Sequence, residues 1–171
     1  MKIKKAIILG AGFGKRMYPI TKKIPKPLVK IRNKTILENT VNFLISLGVK
    51  HIVINTHYLH NKISSFVKNK KFSCKIDLVF EKKKILNTGG GILNASKKFK
   101  KQVLRQKNNK LIFTGAQILT RSVFKSKKIK SFSMNKVWDN LIKKKELVGV
   151  VSEQKFLHIN NYKIYRKLIK Y

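Results

Sequence analysis

The sequence predicts an α/β fold: a mostly parallel sheet covered by helices on both faces, giving three α/β/α layers. Three observations carry that reading. Short apolar runs at residues 7–9, 51–55 and 76–81 have the length and branched-residue content of buried parallel strands. Stretches with helical spacing of apolar residues lie between them, at 35–47 and 59–70. Glycine-rich turns follow the first and third runs, where such a chain leaves a strand for a helix.

Ile7, Ile8 and Leu9 form the first strand, and Gly10-Ala11-Gly12-Phe13-Gly14 turns the chain out of it. Val29, Lys30 and Ile31 read as extended, with Arg32-Asn33-Lys34 as a turn. Thr35 is placed to cap a helix reaching Leu47, with Glu38 three residues on as its capping-box partner. Ile36, Leu37, Val41, Leu44, Ile45 and Leu47 give that helix an apolar stripe, and Gly48 ends it. After the second strand, a helix over 59–70 turns Ile63, Phe66 and Val67 inward. The third strand leads to Thr88-Gly89-Gly90-Gly91, a turn entering a helix that reaches Phe99. Residues 162–171 read as an amphipathic helix with Tyr165, Leu168 and Ile169 inward.

The chemistry concentrates in the first turn. Glycine tolerates positive φ and close approach of a ligand, so backbone N–H groups of such a turn can serve as phosphate donors. Lys15 and Arg16 set two cations beside those amides, and a guanidinium can grip a phosphate through two N–H groups. Lys26 follows ten residues later, between Pro25 and Pro27, which stiffen the backbone around it. A fixed lysine facing a phosphate loop suits transfer at a nucleotide's phosphorus. Two other phosphate loops are excluded by spacing. A dinucleotide G-x-G-x-x-G loop needs glycine at Lys15; Walker A needs glycine at Leu9 and Ser or Thr at Arg16. Three successive glycines at Gly89, Gly90 and Gly91 offer a second flat surface for a base or ribose, or else only a flexible strand-to-helix turn.

Composition sets the outer bounds. The 171 residues suffice for one domain with a real core, and the hydrophobic content of 43% is that of a globular protein. Against 41 Lys and Arg stand 6 Asp and Glu, a net charge of +35 that favours loose attraction to any polyanion. The lysines are spread along the whole chain, with no zinc pattern, RNP-type aromatic run or basic zipper, so no specific nucleic-acid partner is expected. Cys74 is the lone cysteine, which excludes an intramolecular disulfide and fits a reduced cytoplasmic setting. No run reaches the length of a membrane span, and no membrane partner is expected. His57 and His60 stand three apart but lack a third ligand nearby, so they read as surface or hydrogen-bonded residues.

The residues from Leu9 to Leu28 resemble the signature of the sugar-phosphate nucleotidyltransferases, (L/A)-x-(A/G)-G-x-G-x-R-(M/L)-x-P-(L/I)-T followed by P-K-P-(L/M), and every fixed position is met. Leu86 to Leu93 is similar to the family's E-T-(A/G)-G-(G/A)-(I/L) stretch, with Asn87 where an acid is common. The resemblance implies a Rossmann-like fold and transfer of a nucleoside monophosphate from an NTP to a sugar 1-phosphate. It makes Gly10, Ala11, Gly12, Gly14, Lys15, Gly89 and Gly90 nucleotide-binding residues, and Arg16 and Lys26 catalytic ones. It also implies Mg²⁺. The family's first metal-holding aspartate has no counterpart here, and His158 stands at the position of the second. Imidazole is a poor Mg²⁺ ligand, so His158 is open to weak metal contact, substrate contact or packing.

The family's middle is missing. Residues 97–110 contain no acid, and 111–119 resemble a much later (Y/F)-T-G-(I/L)-Q-(I/V) strand. An internal deletion explains this, dividing one truncated domain (1–171) into a nucleotide-binding half at 1–99, a junction at 100–110 and a C-terminal part at 111–171. Asp139 reads as a structural or capping residue. Three functions stay open: a sugar-1-phosphate nucleotidyltransferase, a catalytically impaired nucleotide-binding remnant, and a nonspecific polyanion binder.

Overall fold

A computed structural model describes residues 3–99, 119, 121–124, 127–146 and 159–169. In chain order its elements are β1 (Lys5–Leu9), β2 (Lys30–Ile31), β3 (Lys34–Thr35), α1 (Ile36–Ser46), β4 (His51–Thr56), α2 (His60–Asn69), β5 (Lys75–Phe80), α3 (Asn87–Ser96), α4 (Asn135–Lys143) and α5 (Tyr162–Leu168). They fall into two compact units: Met1–Ile85 with Ile159–Tyr171, and Leu86–His158.

The first unit is built on a parallel sheet in the order β1-β4-β5. Ile8 pairs with Ile54, and Ile54 with Leu78, so one face carries Ala6, Ile8, Ile52, Ile54, Ile76 and Leu78. Leu37 and Val41 of α1 and Ile63 of α2 bury themselves against that face. Each fully buried aliphatic side chain there contributes about 1.5–3 kcal/mol. The predicted α/β class with a parallel sheet is borne out.

Thr35 caps α1 as expected, its Oγ1 accepting from Glu38 N at 3.0 Å. The Glu38 carboxylate instead pairs with Lys70 Nζ at 2.8 Å. That pairing, aided by the neighbouring Lys70 and Lys34 charges, holds the Glu38 carboxyl below its ordinary pKa. Gly48, at φ 85°, ends the helix. Leu47 does not join the predicted stripe: it is 51% exposed, beyond the last helical turn. Cys74 packs beside this core, and burial raises its thiol pKa, which disfavours the thiolate form. In α5, Asn161 Oδ1 caps Ile164 N at 2.9 Å and Tyr165 is buried, but Ile169 lies 49% exposed, just past the helix.

In the second unit the glycines are not a turn before a helix; they lie inside α3 and are buried. Asn87 starts that helix at φ 56°, a left-handed conformation that Asn tolerates. Asp139 is exposed in mid-helix on α4 and caps nothing; Thr88 Oγ1 accepts from Met134 N just before the helix, at 3.0 Å. The expected junction at 100–110 lies outside the described residues, as does all of the expected strand at 111–119 except Leu119. Among the described residues, no helix is long and apolar enough to cross a membrane.

Candidate functional site

The site starts where β1 ends. Gly10 N–H continues the parallel ladder by donating to Asn55 O at 3.0 Å, and it also reaches Asn55 Oδ1 at 2.9 Å. Asn55 Nδ2 in turn donates to Glu81 Oε1 at 2.8 Å, so one buried polar chain joins the ends of all three strands. A Cβ on Gly10 would stand 3.0 Å from Asn55 O and 3.6 Å from Pro27 Cγ. Glycine is thus required for the strand end and the proline segment to meet. The Gly10 N–H itself is used inside the fold and is not a free donor.

The five residues after it are different. Among the described residues, the backbone N–H groups of Ala11, Gly12, Phe13, Gly14 and Lys15 have no intramolecular acceptor. Gly14, at φ 68°, lies within this run and opens a single 3₁₀ turn, Lys15–Met17. Its carbonyl accepts from Met17 N and from Thr21 Oγ1, each at 2.8 Å. A Cβ on Gly14 would lie 3.1 Å from Thr21 Cγ2 and 3.3 Å from Lys26 Cβ. That close approach brings the two halves of the sequence signature, twenty positions from Leu9 to Leu28, into one site. Beneath it, Met17 is fully buried with Val29, Ile159 and Tyr165.

Lys15 and Arg16 are exposed, and Lys26 is half-buried. Burial first, and then the Arg16 guanidinium, push the Lys26 pKa below its ordinary value. Among the described residues neither Arg16 nor Lys26 forms an ion pair. Two neighbouring cations without a carboxylate, beside a run of free N–H groups, make a place where an anion would be stabilised.

Several side chains here were not singled out from the sequence. Phe13, at the tip of the turn, meets His57 edge-on at 5.8 Å between centroids and Tyr58 at 5.4 Å. Tyr58 OH donates to Lys22 O at 2.9 Å, and Lys62 Nζ to Lys23 O at 2.7 Å, tying the segment before Lys26 to the start of α2. His57 and His60 are both hydrogen-bonded: His57 Nδ1 to Glu81 O, His60 Nδ1 with Thr56 Oγ1, the latter ring stacking on Phe80 at 4.1 Å. Asn55 carried one signal, a polar residue closing a buried strand; the partners of Thr21 and Glu81 carried none.

In the second unit, Gly89 N and Gly90 N donate to Phe132 O at 3.0 and 3.3 Å. A Cβ on Gly89 would come within 2.3 Å of the Phe132 ring, and one on Gly90 within 2.2 Å of Lys130 O. The close approach that these glycines permit is to the chain's own residues 130–132.

Among the described residues no group of three or more His, Cys, Asp or Glu side chains could hold an ion. Glu38, Asp77 and Glu81 each have basic or amide partners. The described residues therefore do not fit a protein-held Mg²⁺ site, and His158 lies outside them.

Residues 5–144 match the family described as nucleotidyl transferase. Mannose-1-phosphate guanylyltransferase catalytic subunit beta of Xenopus tropicalis is 34% identical over 87 residues, covering 50% of this chain and 24% of that protein. N-acetylmuramate alpha-1-phosphate uridylyltransferase of Caulobacter vibrioides is 32% identical over 95 residues, covering 54% and 39%. Among solved structures, HddC from Yersinia pseudotuberculosis superimposes with a TM-score of 0.51 at 32% identity, over 58% of this chain and 44% of that one. The chain spans about a quarter to two-fifths of the length of these curated relatives. By the extent of the family match, this chain belongs to the nucleotidyl transferase family.

Proposed function

We propose that the first unit binds the triphosphate of an NTP, and that the chain's reaction class is transfer of a nucleoside monophosphate to a sugar 1-phosphate. One observation carries the reading: among the described residues, five consecutive N–H groups, Ala11 to Lys15, have no acceptor, and they lie beside Arg16, which forms no ion pair there, and the half-buried Lys26. In this reaction an oxygen of the sugar 1-phosphate attacks the α-phosphorus, and the bond to the β-phosphate oxygen breaks to release pyrophosphate. The free amides and Arg16 hold the β- and γ-phosphates and the charge that grows on departing pyrophosphate. Lys26 neutralises the α-phosphate or the incoming phosphate. No step is assigned to a metal held by this chain.

A second reading, binding without turnover, is favoured by the same donor inventory: among the described residues no group of three or more His, Cys, Asp or Glu side chains could hold an ion. Two measurements separate the readings. Pyrophosphate release is followed with Mg-NTP and mannose, glucose and N-acetylmuramate 1-phosphates, alongside titration calorimetry with each NTP. Turnover supports the transferase; saturable binding without pyrophosphate supports the remnant. Binding that is unsaturable and collapses between about 50 and 200 mM salt would mean nonspecific polyanion attraction, and both readings fail.

A further inference from the structure

We propose that Asn55 and Glu81 are positioning residues for the phosphate loop, a role that rests on reading the Ala11–Lys15 amides as phosphate donors. The loop leaves the sheet at Gly10, whose N–H is held by both the main-chain and side-chain oxygens of Asn55, at 3.0 and 2.9 Å. Asn55 is 2% exposed and Glu81 4%, so water does not compete for these bonds. A buried amide facing a lone donor can rotate and present its NH₂ instead. Here the Glu81 carboxylate accepts from Nδ2 at 2.8 Å and so keeps the acceptor end of Asn55 toward Gly10.

Glu81 also reaches the far end of the loop. Its carbonyl accepts from His57 Nδ1, which fixes the proton on that nitrogen, and the His57 ring meets Phe13. Its own N–H is anchored on Thr56 O at 2.8 Å. One residue at the end of β5 therefore braces the loop at Gly10 and at Phe13.

The test uses Asn55→Asp, Glu81→Gln, the double variant and, as a charge-free alternative, Asn55→Ala, which keeps the main-chain bond from Gly10. Two quantities are read on the full chain: hydrogen exchange of a peptide covering 10–17 against one covering β4, and affinity for inorganic tripolyphosphate. Asn55→Asp sets two carboxylates together, and is expected to speed loop exchange and weaken tripolyphosphate about tenfold or more, the scale of a lost buried hydrogen bond. In the double variant the side-chain amide introduced at position 81 donates to the carboxylate introduced at position 55. That carboxylate again accepts from Gly10, so both values return to within about threefold of wild type. If Asn55→Asp does not fold, Asn55→Ala is expected to raise exchange in the loop more than in β4. Loop exchange and tripolyphosphate affinity at wild-type values in Asn55→Ala would overturn the proposal, as would exchange rising equally in both peptides. A wild-type chain that ignores tripolyphosphate defeats the functional reading alone, because loop exchange still decides the bracing.

Discussion

Gly12→Ala separates the folding role of the first turn from its proposed role toward phosphate. Gly12 is exposed, its φ is not positive, and a Cβ built on it meets nothing within 4 Å. The fold should therefore accept alanine, with stability unchanged or raised by up to about 1 kcal/mol through the less flexible unfolded chain. Gly14→Ala is the contrast. Its φ of 68° costs alanine about 1–2 kcal/mol. Its methyl also lands 3.1–3.3 Å from Thr21 and Lys26 Cβ. Thr21 is fully buried and bonded to the Gly14 carbonyl, so it cannot step aside, and crowding adds about 1–3 kcal/mol. Urea denaturation should thus show a drop of about 2–5 kcal/mol for Gly14→Ala and none for Gly12→Ala. Ligand binding should not follow stability. A methyl at position 12 holds phosphate off the adjacent amides, and loss of one charge-assisted bond weakens NTP about 10–100-fold. Gly12→Ala that binds Mg-NTP as tightly as wild type refutes the amide reading; Gly14→Ala as stable as wild type refutes the geometric one.

Four further outcomes are expected. Lys26→Met should leave stability level or slightly raised, since it relieves a half-buried charge beside Arg16, yet lower any pyrophosphate release about 10²–10³-fold. Because the folded pKa of Lys26 lies below its ordinary 10.5, stability should rise with pH between the two values, whereas NTP affinity should fall as pH climbs through the lower one; paired denaturation and binding profiles read both signs. The Glu38–Lys70 pair acts at the other end of the scale: its contribution is whole above the unfolded carboxyl pKa and is lost as pH falls through the lowered folded value, so Lys70→Met should flatten the acid limb of a stability profile. Gly90→Ala should disrupt the second unit more than Gly89→Ala, because its methyl strikes a main-chain carbonyl rather than chiefly a ring that can turn; near-UV circular dichroism and thermal melts report the difference.

The strands were legible because their apolar runs are bounded by turn residues, and α1 because Thr35 and Gly48 mark both ends locally. Features that depend on distant partners were not. Glu38 satisfies the capping-box pattern, but Lys70, thirty-two positions on, offers a charge that a backbone N–H cannot match. Gly89 and Gly90 look like a ligand turn until Phe132, more than forty residues later, supplies the acceptor that turns them into a packed helix. Within the site, the pairing of Lys26 with the glycine turn followed from a known spacing, whereas the loss of the Gly10 N–H to Asn55 depended on register between β1 and β4. Residues whose role is set by their own neighbours in sequence can be read in advance; those set by strand register or by a returning segment cannot.

The underside of the loop has a consequence for synthesis. Met17 leaves the ribosome well ahead of two residues that enclose it, Ile159 and Tyr165, which are translated about 140 residues later. The sheet and its helical face can form on the nascent chain while this thioether is still wet. Capture of nucleotide during translation should therefore lag behind protease resistance of residues 5–80, and ribosome-stalled chains halted before position 159 should show the second without the first.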